Sequence, residues 1–276
     1  VASGADTASD DRVPESDDGA ALVAISPAER RDLAAAGADD SSLVTLGPGA
    51  SAVGLKATAI GRDARADGDQ ASAIGGGSFA TESASAFGSG SYAGGSGSIA
   101  VGQYAFALAD GSISIGQSAA ATAAGAIAIG NSSTASEDSI VIGRSITTDA
   151  TESVFIGTNA NAHAGTSSGS GAPAPSTTRA VAVGYGATVA HEGVAVGANA
   201  TAFENGVAVG HLAASHPWGV AVGKGAFAAA ESATAMGHRT FAGGVQSLAL
   251  GTLASAGGDN AIALGARLIG AEMARA

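Results

Sequence analysis

The sequence predicts an all-β parallel solenoid, and three observations support this prediction. A tetrapeptide such as VAVG recurs in one frame, large and small residues alternate within it, and a glycine closes it. Glycine supplies 43 of the 276 residues, whereas aromatic residues make up only 4%. A chain so poor in large side chains predicts a thin core, which stacked repeats can bury together.

The repeat is anchored on a glycine, and consecutive anchors are 13 or 14 residues apart except between Gly157 and Gly184. We expect each anchor to turn the chain between two strands, because glycine adopts backbone conformations that other residues disfavour. The anchors are Gly47, Gly61, Gly75, Gly88, Gly102, Gly116, Gly130, Gly143, Gly157, Gly184, Gly197, Gly210, Gly223, Gly237, Gly251 and Gly265.

Each repeat predicts two strands. The residues one and three positions before the anchor are mostly aliphatic with Ala between them, as in Val194-Ala195-Val196, and this period of two is typical of a strand. Small residues three and five positions after the anchor, such as Ala200 and Ala202, predict a second, shorter strand. We expect the aliphatic pair to fill the space between the two strands and the central Ala to point outward.

The outward column of central alanines is the predicted contact surface for another copy of the chain, because methyl groups allow close approach. Its members are Ala59, Ala73, Ala86, Ala100, Ala128, Ala182, Ala195, Ala208, Ala221, Ala235, Ala249 and Ala263.

Two regions depart from the repeat. Residues 1–42 hold ten acidic and three basic residues and predict a partly disordered lead, with a short helix near 27–36 where Ser26 and Pro27 give a helix start. Residues 43–276 form the predicted solenoid, and a segment of about 163–180, rich in Gly, Ser and Pro, predicts a flexible insertion. That insertion is either a neutral excursion at a permissive surface site or a grafted functional loop.

Composition and spacing argue against an enzyme, a metal site and a nucleic-acid-binding protein. The formal net charge is −12 and cysteine is absent, so there is no thiolate ligand or nucleophile, and the sequence lacks the basic stripe that nucleic-acid binding needs. His211 and His238 follow anchors two coils apart, with Lys224 between them. A metal site from the loop residues His191, Glu204 and His216 is considered, but solvated loop residues are the preferred interpretation. We predict no catalytic residue, no metal and no cofactor.

Outward aromatic residues are the candidate ligand surface. Phe79, Tyr92 and Phe106 stand four residues after three successive anchors, and Phe227 and Phe241 do so after two more. These rings either pack against a neighbouring subunit or contact a partner protein. Trp218, in a Pro-containing return loop, either anchors a ligand or lies over its own coil.

The stretches GVAVGANATAFEN, NAIALGARL and GAIAIGNSSTASEDS resemble the head repeat of the trimeric autotransporter adhesins, the YadA-like heads, whose motif is N-S-V-A-I-G-x-x-S. The resemblance spans residues 43 to about 270. It implies a left-handed parallel β-roll assembled as a homotrimer on the outer surface of a Gram-negative bacterium. It also implies binding to host extracellular matrix proteins, to cell surfaces or to other copies. No neck, heptad stalk or membrane barrel is found, so we expect attachment through parts of a longer protein.

The predicted function is therefore a non-enzymatic surface adhesin head. An ice-binding solenoid would need a regular rank of threonines, and the outward column from Arg65 to Thr134 lacks one. A purely structural spacer is the other alternative. Solenoid enzymes built from hexapeptides have coils of about 18 residues, which do not fit this repeat.

Overall fold

The computed structural model describes residues 43–162 and 178–265, and every regular element in these ranges is a β-strand. The predicted all-β parallel solenoid with coils of 13 or 14 residues is confirmed. The predicted lead, residues 1–42 with the helix near 27–36, and residues 163–177 of the predicted insertion lie outside the described residues. No helix in the described part of the chain is long and apolar enough to cross a membrane.

The first sheet contains one three-residue strand from every coil, and all sixteen strands run parallel. In chain order they are β1 (Val44–Leu46), β3 (Thr58–Ile60), β5 (Ser72–Ile74), β7 (Ser85–Phe87), β9 (Ile99–Val101), β11 (Ile113–Ile115), β13 (Ile127–Ile129), β15 (Ile140–Ile142), β16 (Val154–Ile156), β18 (Val181–Val183), β20 (Val194–Val196), β22 (Val207–Val209), β24 (Val220–Val222), β26 (Thr234–Met236), β28 (Leu248–Leu250) and β30 (Ile262–Leu264).

The other side of the roll carries two seven-stranded sheets of two-residue strands. The second sheet contains β2 (Ser51–Ala52), β4 (Arg65–Ala66), β6 (Phe79–Ala80), β8 (Tyr92–Ala93), β10 (Phe106–Ala107), β12 (Ala120–Ala121) and β14 (Thr134–Ala135). The third contains β17 (Asn161–Ala162), β19 (Thr188–Val189), β21 (Thr201–Ala202), β23 (Ala214–Ser215), β25 (Phe227–Ala228), β27 (Phe241–Ala242) and β29 (Ser255–Ala256).

Each coil pairs with the next in the register of the sequence repeat. Val194 lies beside Val207 and Ala195 beside Ala208, so equivalent positions form straight columns along the roll. The anchor glycines close these coils: the Gly210 amide donates to the Val196 carbonyl at 2.8 Å, and Gly210 has a φ of +136°. A Cβ on Gly210 would also lie 2.5 Å from the carbonyl oxygen of Gly223. Both the turn and the stacking of coils therefore require glycine there.

The core is made almost wholly of small residues. In one coil Ala57, Ala59, Ala64 and Ala66 are all completely buried and belong to one cluster. They stand four and two positions before Gly61 and three and five positions after it. The roll is therefore thin because both of its sides contribute only methyl-sized side chains to the interior.

The predicted sidedness of the first strand is wrong. The central alanines are completely buried and the aliphatic residues beside them face outward, the reverse of the expected arrangement. The space between the sheets admits small residues from both sides but not a branched pair from one of them. The alanines thus facing the core are Ala59, Ala73, Ala86, Ala100, Ala128, Ala182, Ala195, Ala208, Ala221, Ala235 and Ala249, with Ala263 partly buried in the last described coil.

Four larger side chains interrupt this alanine core near the middle of the chain. Val141, Ile146, Phe155 and Val189 are completely buried and belong to one cluster. At the same level the second sheet ends, and an isolated bridge from Thr134 to Thr147 continues its column. The bulkier side chains occupy the interior where the regular pairing of short strands is broken.

Candidate functional site

The first and third residues of every first-sheet strand form one outward surface, which we call the aliphatic face. Alternate strand residues point to opposite sides, so burial of the central residue directs its two neighbours outward. Ile115 and Ile142 on this face are each 37% exposed. The sixteen strands extend it over about 70 Å at the usual strand spacing.

The composition of the aliphatic face is unusual for a surface in contact with water. None of its positions in the described part of the chain is charged, and the polar exceptions are Thr58, Ser72, Ser85 and Thr234. With about a third of each of its apolar side chains exposed, as at Ile115, the exposed apolar area is on the order of 1,500 Å², whereas the largest apolar patch of a typical monomer covers a few hundred. A surface of this size and composition indicates a protein partner.

The opposite side of the roll carries two rows of aromatic side chains. The first aromatic row is Phe79, Tyr92 and Phe106, with ring centroids 4.8 Å apart for the first pair and 6.5 Å for the second. The guanidinium carbon of Arg65 lies 5.7 Å from the Phe79 centroid and extends the row by one coil. These rings point out of the roll, as the sequence predicts, and Tyr92 is 39% exposed.

The second aromatic row is longer than the sequence pattern predicts. Phe203, His216, Phe227 and Phe241 follow one another with centroid distances of 5.3, 6.0 and 5.9 Å. The pattern of aromatic residues four positions after the anchor predicts Phe227 and Phe241 but not the other two, which stand six positions after their anchors. Positions four and six share one side of the strand, so counting both positions would have revealed the row.

Glycines make room for two of these rings. Gly94 stands two residues after Tyr92, and Gly243 stands two residues after Phe241. A Cβ at either glycine would overlap the preceding ring. The two rings therefore lie along the surface of the roll rather than standing away from it.

Trp218 stands apart from both rows. It is 52% exposed on its return loop, has a φ of +54°, and its amide donates to the Glu204 carbonyl at 3.0 Å. The indole thus belongs to a loop tied to the preceding coil, with half of its surface open to solvent.

The residues considered for catalysis or metal binding are distributed among other contacts. His191 Nδ1 lies 2.8 Å from the Thr178 hydroxyl, while the His216 ring lies between Phe203 and Phe227. No group of three His, Cys, Asp or Glu residues suited to a metal ion occurs in residues 43–162 and 178–265.

A column of threonines joins the two aromatic rows. After Phe106 the outward position reads Ala120, Thr134, Thr147, Asn161, Thr188, Thr201 and Ala214 before it reaches Phe227, whereas the column predicted above extends only to Thr134. The column is one residue wide, because the positions two residues further along include Asp149, Ala190 and Phe203. A flat two-dimensional threonine array of the ice-binding kind is therefore not formed.

Comparison with known proteins finds a described repeat in part of this roll. The family model for the YadA head domain repeat, which describes two copies, matches residues 52–78, 82–105, 107–133, 219–240 and 242–267. Among solved structures, the chain is similar to the collagen-binding domain of the Yersinia adhesin YadA, with 25% identity over 56% of this chain and 73% of that one, and a TM-score of 0.40. No curated protein matches.

Proposed function

We propose, from the premise that this chain contains a YadA-like head domain, that it is the adhesive head of a bacterial surface protein and works as a homotrimer. The aliphatic face is the observation that carries the proposal. In the trimer, three copies lie side by side with their aliphatic faces turned toward one another. The number three follows from the family resemblance, whereas self-association follows from the exposed surface.

The size of the aliphatic face supports a permanent assembly. Three copies would bury roughly 4,500 Å² in total, or about 1,500 Å² at each of the three interfaces, which is the size of a stable, specific interface. Aliphatic side chains without charges are also typical of obligate contacts. A chain that left this face in water would expose most of its large aliphatic residues.

Association through the aliphatic face leaves both aromatic rows on the outside of the trimer. The rows lie on the second and third sheets, whose outward residues point away from the first sheet. We therefore assign the rings to ligand contact rather than to subunit packing, since stacked Phe and Tyr side chains supply much of the binding energy of protein interfaces. Trp218 is a third candidate contact.

The proposed ligands are host extracellular matrix or cell-surface proteins, or heads on another bacterium. The head would be displayed at the outer surface and attached through parts of the full-length protein outside this sequence. Adhesion of this kind requires no catalytic residue, metal or cofactor. A purely structural spacer remains the alternative function.

Two measurements test the proposal. Sedimentation equilibrium of the chain should give the mass of three copies, and a monomer at all concentrations would refute the assembly. Binding to immobilised collagen, laminin and fibronectin, together with aggregation of cells displaying the head, should then be compared for Phe79→Ser with Phe106→Ser and the control Thr134→Ser in the same column.

The double variant should keep the trimer mass and lose adhesion, whereas the control should keep both. If only the double variant lost the trimer, the rings would instead be assigned to packing between subunits. A trimer that supports neither binding nor aggregation would favour the spacer function.

A further inference from the structure

We infer that the two long edges of the roll carry opposite charge so that neighbouring subunits dock edge to edge, all pointing in the same direction. This inference rests on the proposed trimer and identifies what orients it. The glycine-turn edge comprises the two residues after each anchor glycine. The return-loop edge comprises the residues six to nine positions after it, together with Thr178 and Arg179, which pair in register with the return loop at Thr151.

The glycine-turn edge is basic in an acidic protein. Arg62, Arg144, Lys224 and Arg239 stand on it, and Asp63 is its one carboxylate among the described residues, which gives a formal charge of +3 with histidines neutral. His211 and His238 stand on the same edge. No other part of the described roll carries a net positive charge of this size.

The return-loop edge is strongly acidic. It carries twelve of the thirteen described carboxylates, and its only bases besides histidine are Lys56 and Arg179, for a formal charge of −10. The two edges are separated by the short strands of the second and third sheets, because each coil runs from first strand to glycine turn to second strand to return loop. The roll therefore has a charge gradient across its width.

Few of these charges pair with one another within residues 43–162 and 178–265. In the described ranges the ion pairs between side chains are Arg65–Asp67, Arg179–Glu192 and His191–Glu192. Arg144, Lys224 and Arg239 on the glycine-turn edge pair with none of the described carboxylates.

Neutral amide side chains on the glycine-turn edge hydrogen-bond to one another between successive coils. Gln117 donates to Gln103 at 3.3 Å and Asn131 donates to Gln117 at 3.0 Å, so amides at one position of successive coils pair along the edge. Among the described residues, the basic side chains of this edge have no such partner along it.

Symmetry brings the two edges together. In a ring of three chains around an axis parallel to the roll, the glycine-turn edge of each chain adjoins the return-loop edge of the next. The same coil of every chain then lies at the same height. An antiparallel pair of aliphatic faces would instead place like edges together, acidic against acidic.

The charges match at three heights. Arg62 shares its coil with Asp67 and Asp69 on the opposite edge, and Lys224 shares its coil with Glu231. In the middle of the roll, the coil of Arg144 also carries Asp149 and Glu152, and the coil before it carries two more carboxylates. Sliding one chain past another would lose these coincidences, so the edges favour one register as well as one orientation.

The test compares two triple variants with the same net charge. One is Arg62→Gln with Arg144→Gln and Lys224→Gln on the glycine-turn edge. The control, Thr134→Glu with Thr188→Glu and Thr201→Glu, changes the outward column by the same three units. Sedimentation equilibrium in about 0.02 M and about 1 M NaCl gives the trimer dissociation constant with little and with strong screening.

The edge variant should dissociate more readily than the control in low salt. Exposed pairs contribute about twofold each, so nine pairs per trimer give a roughly several hundredfold rise in the trimer dissociation constant. In high salt the wild type, edge variant and control should converge. As a rescue, Lys224→Glu should weaken the trimer and Lys224→Glu with Glu231→Lys should restore it, because the swapped charges meet only across the interface.

The outcomes separate this inference from the proposed function. A wild type that stays monomeric in both salts would refute the trimer itself. A trimer in which the edge variant and the control dissociate alike would refute edge docking alone. Heparin binding by the assembled trimer that is lost with Lys224→Gln would reassign the basic edge to a polyanionic ligand.

Discussion

Neighbouring residues of a first-sheet strand belong either to the aliphatic face or to the alanine core, and three aspartate substitutions distinguish the two locations. Ile115→Asp places a charge on the aliphatic face, Ala120→Asp places it on the opposite side of the same coil, and Ala128→Asp places it in the core of the next coil. We expect the first to dissociate the trimer, the second to change little, and the third to prevent folding.

The magnitude for Ile115 follows from its exposure. The 37% of its surface left exposed in one chain is about 65 Å², which corresponds to about 1.6 kcal/mol of burial per subunit and about 5 kcal/mol per trimer. Burying an unpaired carboxylate costs several kcal/mol more per subunit. The trimer dissociation constant should therefore rise by at least three to four orders of magnitude.

Ala128→Asp is expected to prevent folding for a different reason. It is completely buried between two sheets that meet through methyl groups, so Asp would bring both added volume and an unpaired charge into the core. The expected decrease in the free energy of unfolding is above about 5 kcal/mol, comparable to the whole stability of many domains. Protein concentration should not restore the fold.

Sedimentation equilibrium and far-UV circular dichroism over a range of protein concentrations measure both effects. Ala120→Asp controls for the added charge, because it lies on the outward column in the same coil as Ile115. If Ile115→Asp kept the wild-type dissociation constant, the aliphatic face would not be the interface. If Ala128→Asp folded and Ile115→Asp did not, the sidedness of the first strand would be the reverse of the one described.

Three further results are expected. Gly210→Ala should lower the melting temperature, because Gly210 has a φ of +136° and the new Cβ would lie 2.5 Å from the Gly223 carbonyl oxygen. The control Gly257→Ala, with open space around its Cβ, should leave the melting temperature unchanged. Equal melting curves for the two variants would refute the stacking argument. Phe155→Ala should cost about 3–5 kcal/mol of unfolding free energy in urea, and a loss under 1 kcal/mol would show that its site collapses. Pyrene on Thr58→Cys, in a chain without cysteine, should show excimer emission if the subunits are parallel, whereas an antiparallel pair would separate the labels.

The coils and their turns follow from the sequence, but the sidedness of the first strand does not. A period of two shows that Val194 and Ala195 point in opposite directions, and it does not show which of them points inward. The deciding signal is the small residue four positions before every anchor from Gly61 onward, such as Ala57, which lies in phase with the central alanine. The exceptions at Val141 and Phe155 depend on where the second sheet breaks, and no repeat pattern reports that.

The inverted arrangement of this roll links its folding to its assembly. Alanine methyl groups let the two sheets approach closely, but their burial removes little apolar surface from water. The Val, Ile and Leu side chains have more apolar surface to bury, and they lie on the outside of the roll. The backbone ladder can align the coils, yet the main hydrophobic contribution becomes available only when another copy covers the aliphatic face. Because that contribution depends on association, the stability of the head should be inseparable from subunit concentration, as in other obligate oligomers. In the proposed assembly the three surfaces would have separate roles: the aliphatic face would join subunits, the charged edges would orient them, and the aromatic rows on the remaining side would be free to vary with the ligand.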